Sequence, residues 1–598
     1  MYDLIIKNGL VIDGTGGLSF QADVAVQDGF ICAVGALKDA VAAQVIDAAG
    51  KVVTPGFIDG HNHADLMAAR FPDMENLTVQ GVTTVCTGNC GLSSAPIPNY
   101  YMSTMGDREA LEKIIPPLMT EQIPQFSATV LPVDQVREAF RSAYDVALDW
   151  SGWKEYIQHL ERTGIGANMM GLVGHGVLRA QILGSDCLRA ATEEEIDRMC
   201  AMLRQCMEEG ACGLSYGFDY VPSSYAEEDE LLRLAAVTAE YDGLVSAHIQ
   251  HSPFRHGKMN REFQPYQGFR EFLEIGLKTG AHLQVSHLRT PFKPLADQYA
   301  ASAAANCLLT MFEEYRRKGV RVTWDVLPNY PVAGEYAPML ATKLQCYVKK
   351  CGSLTRFQEM LNNEQYTARL RAELVNRDNL GKDQMYGFDI QTPDWDLMWE
   401  VTAHTNTAYV GKTIRELAGE AGREPLDMML ELLRSDVRTC GRLVVAQKDY
   451  IGFSEFVNHP DASIGLDTEC CNYDCCMESR PDMPPVYMGS YSDFSGMVWL
   501  IKHPDVCVSR EKLIASMTGR TAKNLGLRDR GLVREGMRAD LLVIDWERLD
   551  ANIDYIHPNR APKGIDYVFV NGVLTAEQGK PLNPRAGMVI SNLTQRMP

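Results

Sequence analysis

The chain has 598 residues, 77 acidic and 57 basic, and its net charge of −20 argues against nucleic acid or anionic membranes as partners, since both need a positive field. Hydrophobic residues at 46% and charged residues at 22% are an ordinary globular balance, and a chain this long buries enough surface to fold without disulfide staples. Met1–Gly9 lacks the basic and apolar regions of a signal peptide and no stretch reaches the roughly 18 apolar residues of a membrane span, so a cytoplasmic protein is expected, its 16 cysteines mostly thiols.

The first 50 residues read as short strands, Leu4–Ile6, Gly9–Ile12 and Ala22–Val26, punctuated by turns at Asp13–Gly17 and Asp28–Gly29. The last 65 residues look alike, with Ala539–Asp545 and Tyr567–Val573 as strands. The expected architecture is a small β domain built from both termini, residues 1–54 and 531–598, around a central unit of residues 55–530. That centre alternates strand-like runs with amphipathic helical stretches. The runs lie near 57–63, 82–87, 168–174, 212–216, 245–249, 283–287, 321–326 and 463–467. Regular βαβ alternation implies a parallel sheet, and eight such runs make a (β/α)8 TIM barrel the leading choice. Leu443–Ala446 is a further strand candidate. Residues 98–165 and roughly 330–450 are too long for simple connections and read as insertions forming a lid or side wall, with helical segments over Arg356–Leu374 and Thr413–Ser435.

Chemistry-bearing residues gather at the ends of these runs. In Asp59-Gly60-His61-Asn62-His63, two imidazoles two residues apart on a strand face one point and suit zinc or a related metal. Cys90, in Gly88-Asn89-Cys90-Gly91, reads either as a buried thiol at a tight turn or as a thiolate free to approach a metal. His248 and His287 each follow an apolar run, at the edge where a parallel barrel carries its active site. Asp467 ends the last run; it reads as a helix cap, a ligand, or the acceptor of a water proton.

This set resembles the D-aminoacylase (N-acyl-D-amino-acid deacylase) family of the amidohydrolase superfamily. So do Gly174-His175-x-x-Leu178-Arg179, Gly213-Leu214-Ser215-x-Gly217, Ala408–Thr413, Glu535–Asp540 and Pro562–Gly572. The resemblance runs through nearly the whole chain in order. It implies the (β/α)8 barrel and a small β-sandwich made from both termini, zinc held tightly by Cys90, His248 and His287, and a second, weaker site using His61, His63 and Cys90. It makes Asp467 the general base and later the acid in hydrolysis of a linear amide, an N-acyl-D-amino acid or a related N-acyl compound.

The substrate segments depart from the family. Its carboxylate-binding lysine corresponds to Arg289, which keeps the charge but offers a fork instead of a point. Its tyrosines are missing from Asp325–Asn329, and its arginine corresponds to Val486, with Arg480 close enough in sequence to substitute. Tyr487 and His251 are the other expected substrate contacts. Cys470, Cys471, Cys475 and Cys476 are expected to be pocket-lining thiols. Two readings compete. A cyclic-amide hydrolase of the hydantoinase or dihydroorotase type is disfavoured by the Gly-Asn-Cys-Gly segment and the lack of a bridging lysine. A non-catalytic homologue is disfavoured because all six candidate positions, His61, His63, Cys90, His248, His287 and Asp467, are present. The expected partner is a small-molecule amide, with homo-oligomer formation left open.

Overall fold

The computed structural model describes residues 1–102, 130–251, 254–255, 258–259, 264, 266–290, 298–328, 340–376, 399–443, 452–473, 491–502, 509–553 and 560–595. In chain order, β1 (Tyr2–Val11), β2 (Phe20–Gln27) and β3 (Phe30–Gly35) form an antiparallel meander. β4 (Ala42–Asp47) and β5 (Val52–Pro55) pair parallel to the two halves of β1. The expected strands at 4–6 and 9–12 are thus one strand; a register shift between Ile6 and Gly9 lets it serve both neighbours.

The central strands come next: β6 (Phe57–Asp59) and β7 (Val82–Thr87), then the antiparallel pair β8 (Tyr100–Met102) and β9 (Val130–Pro132). One expected run is split into β10 (Asn168–Gly171) and β11 (Val173–Gly174). β12 (Gly213–Gly217) and β13 (Leu244–His248) follow, then the small antiparallel pair β14 (Phe254–Arg255) and β15 (Lys258–Met259). β16 (His282–Val285) and β17 (Arg321–Val326) lead to the pair β18 (Trp399–Ala403) and β19 (Cys440–Leu443), and then to β20 (Ala462–Ile464). β21 (Leu541–Ile544), β22 (Ile565–Val570), β23 (Val573–Glu577) and β24 (Lys580–Pro581) return to the terminal sheet, and β25 (Val589–Ile590) ends the series.

Both termini therefore build one nine-stranded sheet, joined where β21 pairs antiparallel to β5. The centre holds two parallel sheets, β25-β10-β7-β6 and β11-β12-β13-β16-β17-β20. Their strands are buried along both faces, as the Val-, Leu- and Thr-rich runs require of a covered parallel sheet. The two sheets meet twice: Leu172 links β10 to β11, and the Gly60 amide of the turn after β6 donates to Ile464 O of β20 at 2.8 Å. Among the described residues, no helix is long and apolar enough to cross a membrane.

The insertion between β17 and β20 is helical where expected, over Leu354–Leu361, Glu364–Asn376, Ile414–Ala421 and Pro425–Ser435. It buries its own core, including Phe357, Leu370, Met429 and Leu433. The strand candidate at 443–446 resolves into β19, which ends at Leu443 and pairs antiparallel with β18 inside this insertion; residues 444–446 lie outside the described residues.

His282, at the start of β16 and far from the histidines at its other end, is pushed down to about 4 by burial and by Arg321. The fold holds it neutral, whereas the unfolded chain protonates it below its ordinary value near 6.5. Its contribution to stability is therefore lost as pH falls from about 6.5 to about 4. His282→Gln should flatten the decline of Tm across that window; a decline identical to the parent protein's removes His282 from the acid response.

Candidate metal centre

The turn after β7 delivers a cysteine in a backbone state that cysteine disfavours. Gly88, Cys90 and Gly91 have φ of +75°, +55° and +78°. A Cβ at position 88 would stand 2.0 Å from Leu172 O, so only glycine fits. The left-handed conformation costs Cys90 about 1–2 kcal/mol, and the surroundings hold it there. The Ser215 hydroxyl accepts the Gly91 amide at 3.0 Å and donates to Gly88 O. The Asp65 carboxylate accepts the amides of Gly88 and Ser94, both at 3.1 Å.

His61 and His63 lie beyond the strand, not on it, because β6 ends at Asp59. Strand alternation is therefore not what aims them together. A hydrogen-bonded turn does so: the Asp59 carboxylate accepts the His61 amide at 3.0 Å, and the His63 amide donates to Thr468 O at 2.7 Å. The Asp467 amide donates to His61 O at 2.8 Å and brings its own side chain over both rings. His248 closes β13, as read from the sequence. His287 lies two residues past the end of β16, at φ +36°, with its amide bonded to Asp325 Oδ1 at 2.7 Å.

The six expected positions converge. Cys90 Sγ stands 3.4 Å from His61 Nε2 and 3.6 Å from His287 Nε2. His248 Nδ1 faces His287 Nε2 at 2.8 Å. Asp467 Oδ1 lies 3.2 Å from His61 Nε2 and 3.1 Å from His63 Nε2. Two groups result, His61–His63–Cys90–Asp467 and Cys90–His248–His287, each with its ligand atoms within 4.8 Å of one another and both sharing the thiol.

Their electrostatics are those of a cation site. Burial pushes the Cys90 thiol up, but His61, His248 and His287 outweigh it and hold the thiol well below its usual range. Burial likewise raises Asp467, and His61, His63 and His287 overcome it to hold the carboxyl well down. Burial lowers His63, but Asp467 and Cys90 carry it up to about 10. A thiolate and a carboxylate are thus balanced by protons on imidazoles, and a metal would displace those protons. The donors fit zinc: one thiolate, imidazole nitrogens and a carboxylate oxygen, with two ring nitrogens facing each other where a cation would satisfy both.

Other expected residues divide. His251 donates its amide to Asp219 Oδ2 at 2.9 Å and sets its ring edge-on to His248, with centroids 5.8 Å apart. Arg289 is half-buried two residues after His287. Burial and the Arg289 charge push His251 well down, so it is a neutral ring at the rim of the site. Arg480, Tyr487, Cys475 and Cys476 lie outside the described residues. Cys470 and Cys471 are buried in the main core, and the Cys470 thiol donates to Ala64 O at 3.2 Å. His175 is buried against Glu230 at 2.8 Å and Ser223 at 3.0 Å, away from the ligand atoms.

Three contributors escaped the sequence reading. The Tyr220 hydroxyl stands 3.0 Å from His248 Nδ1, and Asp219 Oδ2 lies 3.4 Å from its Nε2. Asp325 touches both groups. Each is a polar residue at or just past a strand end, which is the signal that marked the histidines.

A family model described as "Amidohydrolase family" matches residues 44–305 and 482–576. N-acyl-D-glutamate deacylase of Alcaligenes xylosoxydans xylosoxydans is 28% identical over 594 residues, 98% of this chain and 96% of its own. A crystal structure of D-aminoacylase, 23% identical, superposes with a TM-score of 0.66 over 99% of this chain and 100% of its own. N-acyl-D-glutamate deacylase from Bordetella bronchiseptica, solved with zinc and a phosphonate mimic of the tetrahedral intermediate, is 24% identical with a TM-score of 0.65, covering 99% of both chains.

Proposed function

The chain belongs to the amidohydrolase family, and on that premise we propose that it is a zinc-dependent hydrolase of linear amides, acting on an N-acyl-D-amino acid or a related N-acyl compound. The observation that carries this reading is the thiol of Cys90 shared by two ligand groups, with Asp467 over one of them. We read β6, β7, β10/β11, β12, β13, β16, β17 and β20 as a (β/α)8 barrel, supported by the Gly60–Ile464 hydrogen bond across its seam. Residues 55–530 would be the catalytic unit, with the helical insertion as its side wall, and residues 1–54 and 531–598 the β-sandwich.

Cys90, His248 and His287 would hold one zinc tightly, and His61, His63 and Cys90 a second, weaker one. Bound zinc supplies a Lewis acid that polarises the amide carbonyl and brings the pKa of a water to about 7. Asp467 is an anion placed to take the attacking water's proton and then hand it to the departing nitrogen. The Tyr220 phenol, at the same edge as His248 Nδ1, can donate to the carbonyl oxygen as negative charge gathers there. Arg289 supplies the cation for a substrate carboxylate.

The test is amine release from N-acetyl-D-methionine, its L-isomer and an uncharged N-acetyl amide, using zinc-loaded protein. The D-isomer should be the substrate, and Arg289→Ala should lower its kcat/KM about 10- to 100-fold, the worth of a hydrogen bond to a charged group. Cleavage of the uncharged amide alone would overturn the carboxylate assignment and move the search to carboxylate-free amides.

A further inference from the structure

We infer that Asp325 is a positioning residue that fixes which nitrogen of His61 is offered to the metal, while anchoring His287 of the other group. The inference rests on the two-group zinc reading above and goes one layer beyond the ligands.

Asp325 is buried near the end of β17. Its Oδ1 accepts the His287 amide at 2.7 Å, and its backbone carbonyl accepts the Leu288 amide at 2.7 Å. Its Oδ2 accepts Gln284 Nε2 at 3.3 Å and faces His61 Nδ1 at 3.5 Å. That ring nitrogen is buried and has no hydrogen bond among the described residues. The opposite nitrogen, His61 Nε2, points at Cys90 Sγ and Asp467. An imidazole ligates through an unprotonated nitrogen, so His61 must carry its proton on Nδ1. A carboxylate aimed at Nδ1 favours that tautomer; an amide nitrogen in its place would favour the other.

The geometry also explains why this carboxylate tolerates burial. Each oxygen accepts a protein N–H, and His61 supplies the adjacent positive or polarised edge. Gly465 closes the other side: a Cβ there would stand 3.0 Å from Asp325 Oδ1 and 2.5 Å from the His61 Cβ. A side chain at that position would wedge the pair apart.

The experiment is a cobalt titration of the metal-free protein and of Asp325→Asn, followed by the thiolate-to-cobalt charge-transfer absorption of Cys90. Asparagine keeps the size and one acceptor for the His287 amide. The first cobalt should bind both proteins alike, with the same absorption, through Cys90, His248 and His287. The second should bind the variant about 10- to 100-fold more weakly, the usual effect of removing a ligand's supporting partner. A role confined to packing would lower the Tm of the metal-free protein without splitting the two affinities, and two unchanged affinities overturn the inference. Should the variant not fold, 15N-histidine spectra of the zinc-loaded parent protein still decide, with His61 assigned by its loss in His61→Asn. A proton on Nδ1 supports the inference and a proton on Nε2 overturns it. A parent protein that takes up no cobalt defeats the metal reading itself, whereas two equal titrations defeat the Asp325 role alone.

Discussion

Cys90→Ala is expected to strip zinc from both groups at once and to abolish amide hydrolysis. No other single residue has this reach, because Cys90 alone belongs to both sets of ligands. Removing its sulfur leaves two pairs of histidines, His61 with His63 and His248 with His287, and no anionic donor on the second pair. It also removes one of the negative charges that raise His61, His63 and His248, the others being Asp325, Asp467 and Asp219. Those rings should then titrate lower, and the second pair should bind divalent ions only weakly. Metal analysis after dialysis, with amine release on the same sample, checks both parts. A Cys90→Ala protein that retains a full equivalent of tightly held zinc would mean that the shared thiol is not a ligand.

Asp467→Asn should behave oppositely, keeping zinc in the Cys90–His248–His287 group and losing turnover. Among the described residues its ion-pair partners are His61 and His63, and it is 21% exposed, so water and substrate can reach it. Asparagine preserves its shape and cannot take a proton. The loss should fall near the 10²- to 10⁴-fold worth of a positioned general base. Zinc content should stay near one equivalent, and substrate should still bind, so KM should change far less than kcat. Normal turnover in Asp467→Asn would remove it from proton transfer and leave it a turn residue at φ +56°.

Much of this site was legible in the sequence because its parts sit at strand ends. His248 closes an apolar run, and the glycines around Cys90 announce a turn that only glycine can make. Pairwise geometry was less legible. His61 and His63 meet through a turn pinned by Asp59 and Thr468, a contact spanning the chain that no local spacing reports. The joined strand β1 was read as two because its register shift falls between Ile6 and Gly9, where Asn8-Gly9 also signals a turn. Asp325 and Asp219 act on ligands from neighbouring strands, and such lateral support becomes visible only once strand order is known.

The pairing of β25 with β10 bears on how the molecule is made. Met169 and Met170 pair with Val589 and Ile590, the Met588 amide reaches Asn168 across 420 residues of sequence, and the Cys212 thiol donates to Ile590 O at 3.4 Å. On the ribosome, β10 emerges long before its neighbour exists. At 5–20 residues per second the wait is roughly 20–80 s. Throughout that interval one side of β10 is an open strand edge, able to recruit a foreign strand. β25 is therefore a late closing stitch, and a chain that stalls shortly before residue 588 carries all six candidate metal-site residues with an unsealed seam.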